Sequence, residues 1–457
     1  MRITTVRSEG IAALSYIVTT KDKAMVVDPR RDALVYHVMA KDLNCKITHI
    51  FETHRNEDYV TGSLELQSYY PSAKICHSKA TKFGFGNIDL EDGEEFKIGS
   101  IKVTCRNTPG HTDDSMCYLV TEASTSPSQA AMFTGDTLFV NEVGRTDLVD
   151  ITKHAQMSRK LYKSLHEIVL TYDDAIVIHP AHGAGSVCGG NISEQETSTI
   201  GFEKKNNAWL SMDEEEFVEF KVRQRLTLSK YFKRCEKLNT DGPPLLASLE
   251  PLKEFEVNEY EQLLKNPNHQ GIDTRDSPAY LDAHIPGSIS LSLSNIGLLA
   301  GWALRDDQSF SFILDNYTDL ELAKSTLFRV GLDDILGYLK DGFSSWSKSS
   351  KPIDRIETTS LKDMKNELKN GKITVVDVRE SHEFDTERIP SSVSIPLTGL
   401  NESISSIDIS KKIVTICPSG HRSTTAASIL KKQGVDNIAV LLPGLKKWIE
   451  EGYPMEW

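Results

Sequence analysis

Short apolar runs alternate with turn residues from Met1 to about Val187, a pattern typical of β-strands in a mixed fold. The predicted strands are Ala13–Val18, Ala24–Pro29, Lys74–Cys76, Ile101–Thr104, Met116–Val120, Ala131–Thr134 and Ala175–Ile178. Met1–Val6 also reads as the start of a strand. Periodic apolar positions over residues 151–169 predict a helix between strands. This part of the chain is therefore predicted to be α/β with much antiparallel strand.

A charged stretch with helical periodicity follows, from about Ser193 to Leu238. It ends at Thr240–Pro244, where a glycine and two prolines interrupt regular structure. We interpret this segment as a linker between domains.

The chain repeats itself beyond this linker. Three pairs of residues recur with the same spacing of thirteen, eight and four positions. The matched pairs are Asp273 to Pro286 with Asp377 to Pro390, Ala323 to Gly331 with Ala426 to Gly434, and Gly342 to Trp346 with Gly444 to Trp448. We therefore predict two copies of one α/β unit, joined through residues 347–352. The predicted domains are residues 1–245, 246–350 and 351–457.

The amino-acid composition limits the classes of partner that the chain is expected to bind. The chain has 457 residues, 39% of them hydrophobic, and a net charge of −13. Such an acidic chain disfavours nucleic acid and anionic membranes as partners, so we expect small molecules instead. Without a signal peptide or a run long enough to span a bilayer, we expect a cytoplasmic location. The seven cysteines form no CxxC pair, which argues against a disulfide framework and a zinc–thiolate site.

The chemistry is expected where strands of the first part end in loops that carry histidine and aspartate. His54 lies in the loop 52–63, His111 follows Thr108–Gly110, and Asp136 follows Phe133–Gly135. A fourth such loop contains His179 and His182. Side chains at the edge of a sheet can converge on a metal ion.

These motifs resemble the metallo-β-lactamase fold over roughly the first 200 residues, which implies an αββα sandwich. The HxHxDH signature of that family is altered here, because Asn56 and Tyr59 replace two of its histidines. That departure makes two zinc ions unfavourable. The remaining His54, His111 and Asp136 resemble the ligand set of the persulfide dioxygenase branch, which implies one Fe(II) per chain.

A second segment, Gly144–Asp147, resembles the GRTD segment of the same dioxygenases. The resemblance implies that Arg145 binds an anionic group of a small thiol cofactor, although a structural salt bridge is the alternative. The roles of Tyr59, His182 and Cys188 stay open between a place in the site and ordinary packing or hydrogen bonding.

The second copy of the repeat contains a loop of a different kind. Cys417 follows the apolar run Ile413–Ile416 and precedes a helix predicted from Thr424. Backbone N–H groups and the positive end of a helix dipole stabilise a thiolate at such a position. The loop resembles the rhodanese active site, which implies Cys417, Arg422 and Ser423 as catalytic residues. Four residues separate Cys417 from Arg422, one fewer than in dual-specificity phosphatases, so sulfur transfer is favoured over phosphate chemistry.

The first copy has no cysteine, and Asp315 lies near the nucleophile position. We therefore expect a metallo-β-lactamase αββα sandwich followed by a catalytically silent rhodanese-like α/β domain and an active one. The expected function is oxidation of a low-molecular-weight thiol persulfide by O2 to sulfite and thiol, joined to sulfur transfer among persulfide, sulfite and thiosulfate. This combination would detoxify sulfide.

Two alternatives stay open. One is a thioester hydrolase of the glyoxalase II type with an attached sulfurtransferase, which usually needs a dinuclear site. The other is a non-catalytic sulfur-binding or regulatory protein. The identity of the thiol and the oligomeric state, including a homo-oligomer, are also left open by the sequence.

Overall fold

The computed structural model describes residues 1–122, 130–224, 226, 228–229 and 231–457. The described chain forms two compact units. The first comprises Met1–Leu228 and Phe232–Ser248, and the second comprises Leu249–Trp457 with the short segment Ser229–Tyr231.

The first unit contains two six-stranded sheets, and in each of them neighbouring strands are also neighbours along the chain. The first sheet consists of β1 (Arg2–Ser8), β2 (Ala13–Thr19), β3 (Lys23–Val27), β4 (Lys46–Phe51), β5 (Lys74–Ser78) and β6 (Ile88–Leu90). The second consists of β7 (Glu95–Ile98), β8 (Ile101–Asn107), β9 (Met116–Glu122), β10 (Ala131–Gly135), β11 (Val177–Pro180) and β12 (Ser198–Thr199). The α-helices are α1 (Leu34–Asp42), α2 (Ser63–Tyr69), α3 (His154–Lys163), α4 (Ile200–Asn206), α5 (Glu214–Arg223) and α6 (Phe232–Asp241).

The two sheets pack face to face. Their inner faces share a core that includes Tyr16, Phe51, Tyr118 and Phe133. The outer face of the first sheet packs against α1 and α2, and the outer face of the second packs against α3, α4 and α5. Each large apolar side chain fully buried in these layers stabilises the fold by about 1.5–3 kcal/mol. The predicted αββα sandwich is confirmed.

The apolar pattern located the strands well and the helices less well. β11 begins at Val177, two residues after the predicted start. The predicted helix over 151–169 combines α3 with a 3-10 turn before it and a π-helical and a 3-10 turn after it. The predicted helical stretch 193–238 contains α4, α5 and most of α6, and its residues 225, 227 and 230 lie outside the described part of the chain.

The second unit contains two five-stranded parallel sheets. The first is formed by β13 (Lys253–Phe255), β14 (His269–Asp273), β15 (Ile289–Ser290), β16 (Ser309–Ile313) and β17 (Ile335–Leu339), in the order β13-β17-β16-β14-β15. The second is formed by β18 (Glu357–Thr358), β19 (Ile373–Asp377), β20 (Val393–Ser394), β21 (Lys412–Ile416) and β22 (Ile438–Val440), in the order β18-β22-β21-β19-β20. The two orders are the same, so the predicted internal repeat is a repeat of topology.

The helices of the two repeats also correspond. The first repeat has α7 (Val257–Leu264), α8 (Ser277–Asp282), α9 (Ile296–Ala303), α10 (Leu320–Arg329) and α11 (Gly342–Ser347). The second has α12 (Leu361–Lys369), α13 (Ser381–Thr386), α14 (Leu400–Ser403), α15 (His421–Lys432) and α16 (Gly444–Glu450). Because both repeats lie in one compact unit, the predicted boundaries at 245/246 and 350/351 stay predictions.

A buried ion pair recurs at the end of β14 and of β19, the strand that lies next to the central one in each repeat. Arg275 donates to both carboxylate oxygens of Asp273 and to the carbonyl of Ala283. Arg379 makes the same two-pronged contact with Asp377, at 3.0 and 2.7 Å. This fork holds the turn that follows the strand, which explains why Asp and Arg recur at this spacing.

Among the described residues, none of the helices combines the length and the apolar character that a membrane span requires.

Replacing Asp377 with alanine should leave the Arg379 guanidinium, which is 3% exposed, without its counter-charge. An uncompensated buried charge of this kind typically costs about 3–5 kcal/mol, so the free energy of unfolding should fall by that amount. Urea denaturation of the full chain measures the change. Asp385→Ala on the exposed face of α13 is the matched control. If both variants stay within about 0.5 kcal/mol of the unsubstituted protein, the ion pair does not stabilise the repeat.

Candidate active sites

Three strand-end loops of the first unit bring His54, His111 and Asp136 together. His54 follows β4, His111 lies between β8 and β9, and Asp136 follows β10 directly. Gly135 makes the last turn possible, because its φ is 53° and a Cβ there would lie 2.7 Å from the Cβ of Thr53. The sequence-predicted ligands thus meet at one edge of the sandwich.

The ligand atoms of these three residues lie within 4.8 Å of one another. Asp136 Oδ2 is 3.8 Å from His54 Nε2 and 3.4 Å from His111 Nε2. Within the described part of the chain, neither Nε2 atom has a hydrogen-bond partner, although both are buried. Buried polar atoms without partners are unfavourable unless something absent from the chain satisfies them. The cluster therefore fits a metal ion.

Neighbouring groups orient both imidazoles through their other nitrogen. His54 Nδ1 lies 2.9 Å from Thr53 Oγ1, and this hydroxyl donates to Asp28 Oδ2. His111 Nδ1 lies 2.9 Å from the carbonyl oxygen of Arg145. Such contacts fix the ring orientation and leave Nε2 free to bind a metal.

The electrostatics of the cluster favour a cation. Burial lowers the pKa of His54 to about 3, so this imidazole is neutral at pH 7 and able to act as a ligand. Burial would raise the pKa of Asp136, but the imidazoles of His182, His54 and His111 hold it well below its ordinary value. Burial also opposes protonation of His111, yet Asp136 and Glu57 raise its pKa above the ordinary value. The buried carboxylates attract positive charge into the cavity.

Two signals in this region were missed from the sequence. Asp28 follows β3 in a left-handed conformation with φ of 51°, and its carboxylate accepts hydrogen bonds from the backbone N–H and the hydroxyl of Thr53. No sequence motif indicates this role. Glu57 Oε2 lies 3.7 Å from His111 Nε2, and both carboxylate oxygens of Glu57 are buried without a hydrogen-bond partner among the described residues. Glu57 stands inside the altered HxHxDH motif, where an acidic residue could have been singled out.

His182 lies beside the cluster rather than in it. Its Nδ1 is 2.8 Å from Asp136 Oδ1, and its Nε2 is 3.1 Å from Asp58 Oδ2. Tyr59 packs edge-on against the His182 ring, and its hydroxyl is buried without a partner among the described residues. Tyr59 is therefore not part of the first cluster, and its hydroxyl forms no hydrogen bond with the described residues.

Arg145 is buried, 1% exposed, and its guanidinium pairs with Asp147 at 2.7 and 2.8 Å. The same group donates to the carbonyls of Val187 and Leu226. This arrangement is the structural salt bridge that the sequence left open as the alternative. The binding of a thiol cofactor by Arg145 stays a prediction. The contact of Arg145 with the cluster is made by its backbone carbonyl, which lies 2.9 Å from His111 Nδ1.

Cys188 is buried in a small apolar group with Phe139 and Ile192. Burial raises the pKa of its thiol well above the ordinary value, so the metal-free site holds a protonated thiol rather than a nucleophilic thiolate. Its sulfur nevertheless lies within 4.8 Å of ligand atoms of Asp58 and His182.

The loop after β21 encloses Cys417 as the sequence predicted. Its Sγ accepts N–H groups of Gly420 at 3.1 Å and Ser423 at 3.4 Å, and lies 3.4 Å from Ser423 Oγ. Gly420 adopts φ of 92°, and a Cβ there would lie 2.5 Å from the carbonyl oxygen of Leu442. Helix α15 begins at His421, three residues before the predicted start, so the helix N-terminus lies closer to the sulfur than expected. These donors stabilise negative charge on sulfur.

Arg422 does not leave a free positive charge beside the loop. Its guanidinium pairs with Glu383 of α13 through two contacts of 2.6 and 2.9 Å. Burial would raise the pKa of Glu383, but Arg422 holds it below its ordinary value. A catalytic role for Arg422 stays a prediction. In the structure, the ion pair of Arg422 with Glu383 connects the loop to α13.

The first repeat has a different residue at the nucleophile position. Ile313 pairs with Asp273 in the first repeat as Ile416 pairs with Asp377 in the second. The residue that corresponds to Cys417 is therefore Leu314, with Asp315 one position later. A buried leucine cannot carry sulfur, which supports the prediction of a silent copy.

The first repeat nevertheless packs against the helix of the active loop. Thr425 Oγ1 donates to the carbonyl of Ser290 at 2.7 Å, and the N–H of Ser290 donates to Ser428 Oγ at 3.1 Å. His421 Nδ1 lies 3.4 Å from Ser277 Oγ. The first repeat thus contacts α15 of the second repeat through three polar pairs.

Known proteins share both parts of this architecture. The description "Metallo-beta-lactamase superfamily" matches residues 9–182, and "Rhodanese-like domain" matches residues 256–349 and 360–451. Mitochondrial persulfide dioxygenase ETHE1 of Bos taurus is 29% identical over 215 residues, which is 46% of this chain and 74% of that protein. A probable hydroxyacylglutathione hydrolase of Schizosaccharomyces pombe is 32% identical over 160 residues, 34% of this chain and 57% of the relative.

A solved structure extends the similarity beyond the first domain. The crystal structure of a metallo-beta-lactamase from Staphylococcus aureus superposes with a TM-score of 0.66 at 28% identity, covering 74% of this chain and 98% of that one. This coverage reaches beyond the residues that match the metallo-beta-lactamase description. The chain therefore joins a metallo-β-lactamase domain with persulfide dioxygenase homologues to two rhodanese-like domains, the composition of the persulfide dioxygenase–rhodanese fusion family.

Proposed function

We propose that this protein oxidises a low-molecular-weight thiol persulfide with O2 at the His54, His111 and Asp136 cluster, and transfers sulfane sulfur through Cys417. The homologues and the rhodanese-like domains support a role in sulfur metabolism. In the first reaction persulfide, O2 and water give thiol, sulfite and two protons. The single observation that carries this proposal is the buried cluster of two imidazoles and one carboxylate, whose Nε2 atoms have no hydrogen-bond partner among the described residues.

The donor set favours one ferrous ion. His54, His111 and Asp136 would hold the ion, and two imidazoles with one carboxylate form the ligand set of non-haem iron oxygenases. When bound there, a ferrous ion would supply the chemistry that activates O2 toward a sulfur substrate.

Several residues of the chain would prepare this site. Thr53 and the carbonyl of Arg145 orient the two imidazoles, and burial of Asp136 excludes water from the carboxylate. Glu57 adds a second buried carboxylate beside His111. Its negative charge would favour the binding of a cation there. Together these groups would bind a cation and keep its ligands in one geometry.

Cys417 would carry the sulfane sulfur. Its thiolate attacks the outer sulfur of a persulfide, the sulfur–sulfur bond of the donor breaks, and the donor leaves as a thiolate. Sulfite can then attack the outer sulfur of the cysteine persulfide, which forms thiosulfate and returns the Cys417 thiolate. The N–H groups of Gly420 and Ser423 stabilise the negative charge on sulfur in both steps.

The two activities would lie in consecutive steps of sulfide detoxification, because sulfite formed by the first reaction is an acceptor for the second. A cytoplasmic location and a homo-oligomeric state stay predictions.

A thioester hydrolase is the second candidate, since a hydroxyacylglutathione hydrolase is among the relatives of the first domain. Hydrolysis by this fold usually uses two metal ions and a metal-activated hydroxide. Asn56 and Tyr59 stand where two of the required imidazoles would lie, so we rank this function below persulfide oxidation.

Anaerobic loading of the full chain with ferrous ion should give about one iron per chain and O2 uptake that depends on added thiol persulfide. Asp136→Ala should lose at least about 100-fold of this uptake, because the only carboxylate of the cluster is removed. Asp92→Ala, at an exposed ion pair with Arg106, is the control. Two zinc ions per chain with thioester cleavage and no O2 uptake would contradict the proposal.

Cys417→Ser should abolish sulfur transfer from thiosulfate, since a serine hydroxyl is a poor nucleophile toward sulfur at neutral pH. Persulfide-dependent O2 uptake of the same variant should stay close to that of the unsubstituted protein. A cyanide-acceptor assay follows the transfer, with Cys45→Ser as a half-exposed cysteine control. Transfer that survives in Cys417→Ser would show that another residue carries the sulfur.

Thr53→Val should weaken metal binding about 10-fold, because the hydroxyl that orients His54 is lost while the shape of the side chain is kept. Competition with a chromophoric chelator measures the affinity. Thr48→Val is the control on the same stretch of chain, since its hydroxyl contacts Ala24 and His49 instead. Equal affinities for both variants would mean that the Thr53 contact does not prepare the ligand.

A further inference from the structure

A groove of about 610 Å³ lies between the two repeats of the second unit and has no part in the sulfur transfer proposed for Cys417. One wall comes from α8 of the first repeat, through Pro278, Leu281 and Asp282. The other wall comes from the second repeat, through residues 355–358, 436–438 and Leu442. Sites for small molecules typically enclose about 300–1,000 Å³, so the groove is large enough for one.

The groove borders the loop that carries Cys417. Leu442 packs closely on this loop, since a Cβ on Gly420 would lie 2.5 Å from the carbonyl oxygen of Leu442. On the other wall, Pro278 directly follows Ser277, whose Oγ lies 3.4 Å from His421 Nδ1. Both walls therefore reach the loop, and a molecule in the groove would lie beside it.

Two charged side chains of opposite sign line the groove without an ion-pair partner among the described residues. They are Asp282 of the first repeat and Arg355 of the second. The other two charged residues of the groove, Glu357 and Asp436, are each paired with a lysine, at 2.7 and 2.9 Å. The groove thus offers one positive and one negative charge, one from each repeat.

The remainder of the groove is largely apolar. Leu281, Ile356 and Ile438 line it and are at most 5% exposed. Such a lining suits the uncharged part of a ligand, while a few polar groups fix its orientation. A ligand rich in phosphate would need several cations, and in the described part of the groove Arg355 is the one cationic side chain. A ligand with one carboxylate and one ammonium group matches the two unpaired charges.

We propose that this groove binds the amino-acid part of a zwitterionic thiol persulfide and presents its outer sulfur to Cys417. Cysteine and glutathione persulfides belong to this class. The inference rests on the proposed sulfur transfer and names the class of donor that the transfer uses. Arg355 pairs with the carboxylate of the donor through its planar guanidinium, and Asp282 accepts from its ammonium group. The first repeat, which has no cysteine, thus contributes to recognition of the substrate.

Steady-state kinetics of the full chain without O2 test the proposal, because sulfur transfer to added sulfite is then measured apart from oxidation. The donor is glutathione persulfide, and the product is thiosulfate. Arg355→Ala and Asp282→Asn should each raise the KM for this donor about 5-fold with kcat unchanged, since each removes one partly exposed charge pair. The KM for the persulfide of 2-mercaptoethanol, which carries neither charged group, should stay the same.

Arg305→Ala is the matched control, because this exposed arginine pairs with Asp307 and does not line the groove. It should leave the KM for both donors unchanged. An unchanged KM for glutathione persulfide in Arg355→Ala or Asp282→Asn, or an equal rise for both donors, would overturn the proposal. Absence of transfer from either donor in the unsubstituted protein would instead refute the sulfur transfer itself, and this inference with it.

Discussion

A buried carboxylate among three imidazoles is the interaction on which the first domain's chemistry depends. Asp136 contacts His182 directly and lies within 4 Å of His54 and His111, and its negative charge offsets the cost of burying these polar rings together. The strand ends bring them into place, and Asp28, Thr53 and the backbone of Arg145 fix two of the rings. In the part of the chain that the structure describes, the Nε2 atoms of His54 and His111 have no hydrogen-bond partner, and both lie near the Asp136 carboxylate. This arrangement favours the binding of a cation.

In the second unit, the loop after β21 directs backbone donors at the start of α15 toward Cys417 Sγ, an arrangement that suits negative charge on sulfur. The guanidinium of Arg422 pairs with Glu383 of α13 instead. The first repeat keeps the topology, the buried Asp–Arg fork and the contact with α15, but has Leu314 where the sulfur would be.

The fold could be predicted from local pattern and repetition, because alternating apolar residues and matched spacings each have a direct structural meaning. The grouping of His54, His111 and Asp136 could also be predicted, since these residues stand at strand ends in recognisable motifs. Asp28 could not, because its role depends on which distant loops meet, whereas Glu57 stands in the altered motif and could have been singled out. Arg145 shows the same limit, as its guanidinium pairs with Asp147 only two residues away while its backbone reaches His111.

The central claim is that one ferrous ion with open positions sits at His54, His111 and Asp136. Electron paramagnetic resonance of the iron-loaded chain exposed anaerobically to nitric oxide tests this most directly, because nitric oxide takes an open position on such an ion and gives a characteristic high-spin signal. The account predicts about one such signal per chain, altered by added thiol persulfide and absent from His111→Ala. Iron that binds without giving the signal, or a signal unchanged in His111→Ala, would contradict it.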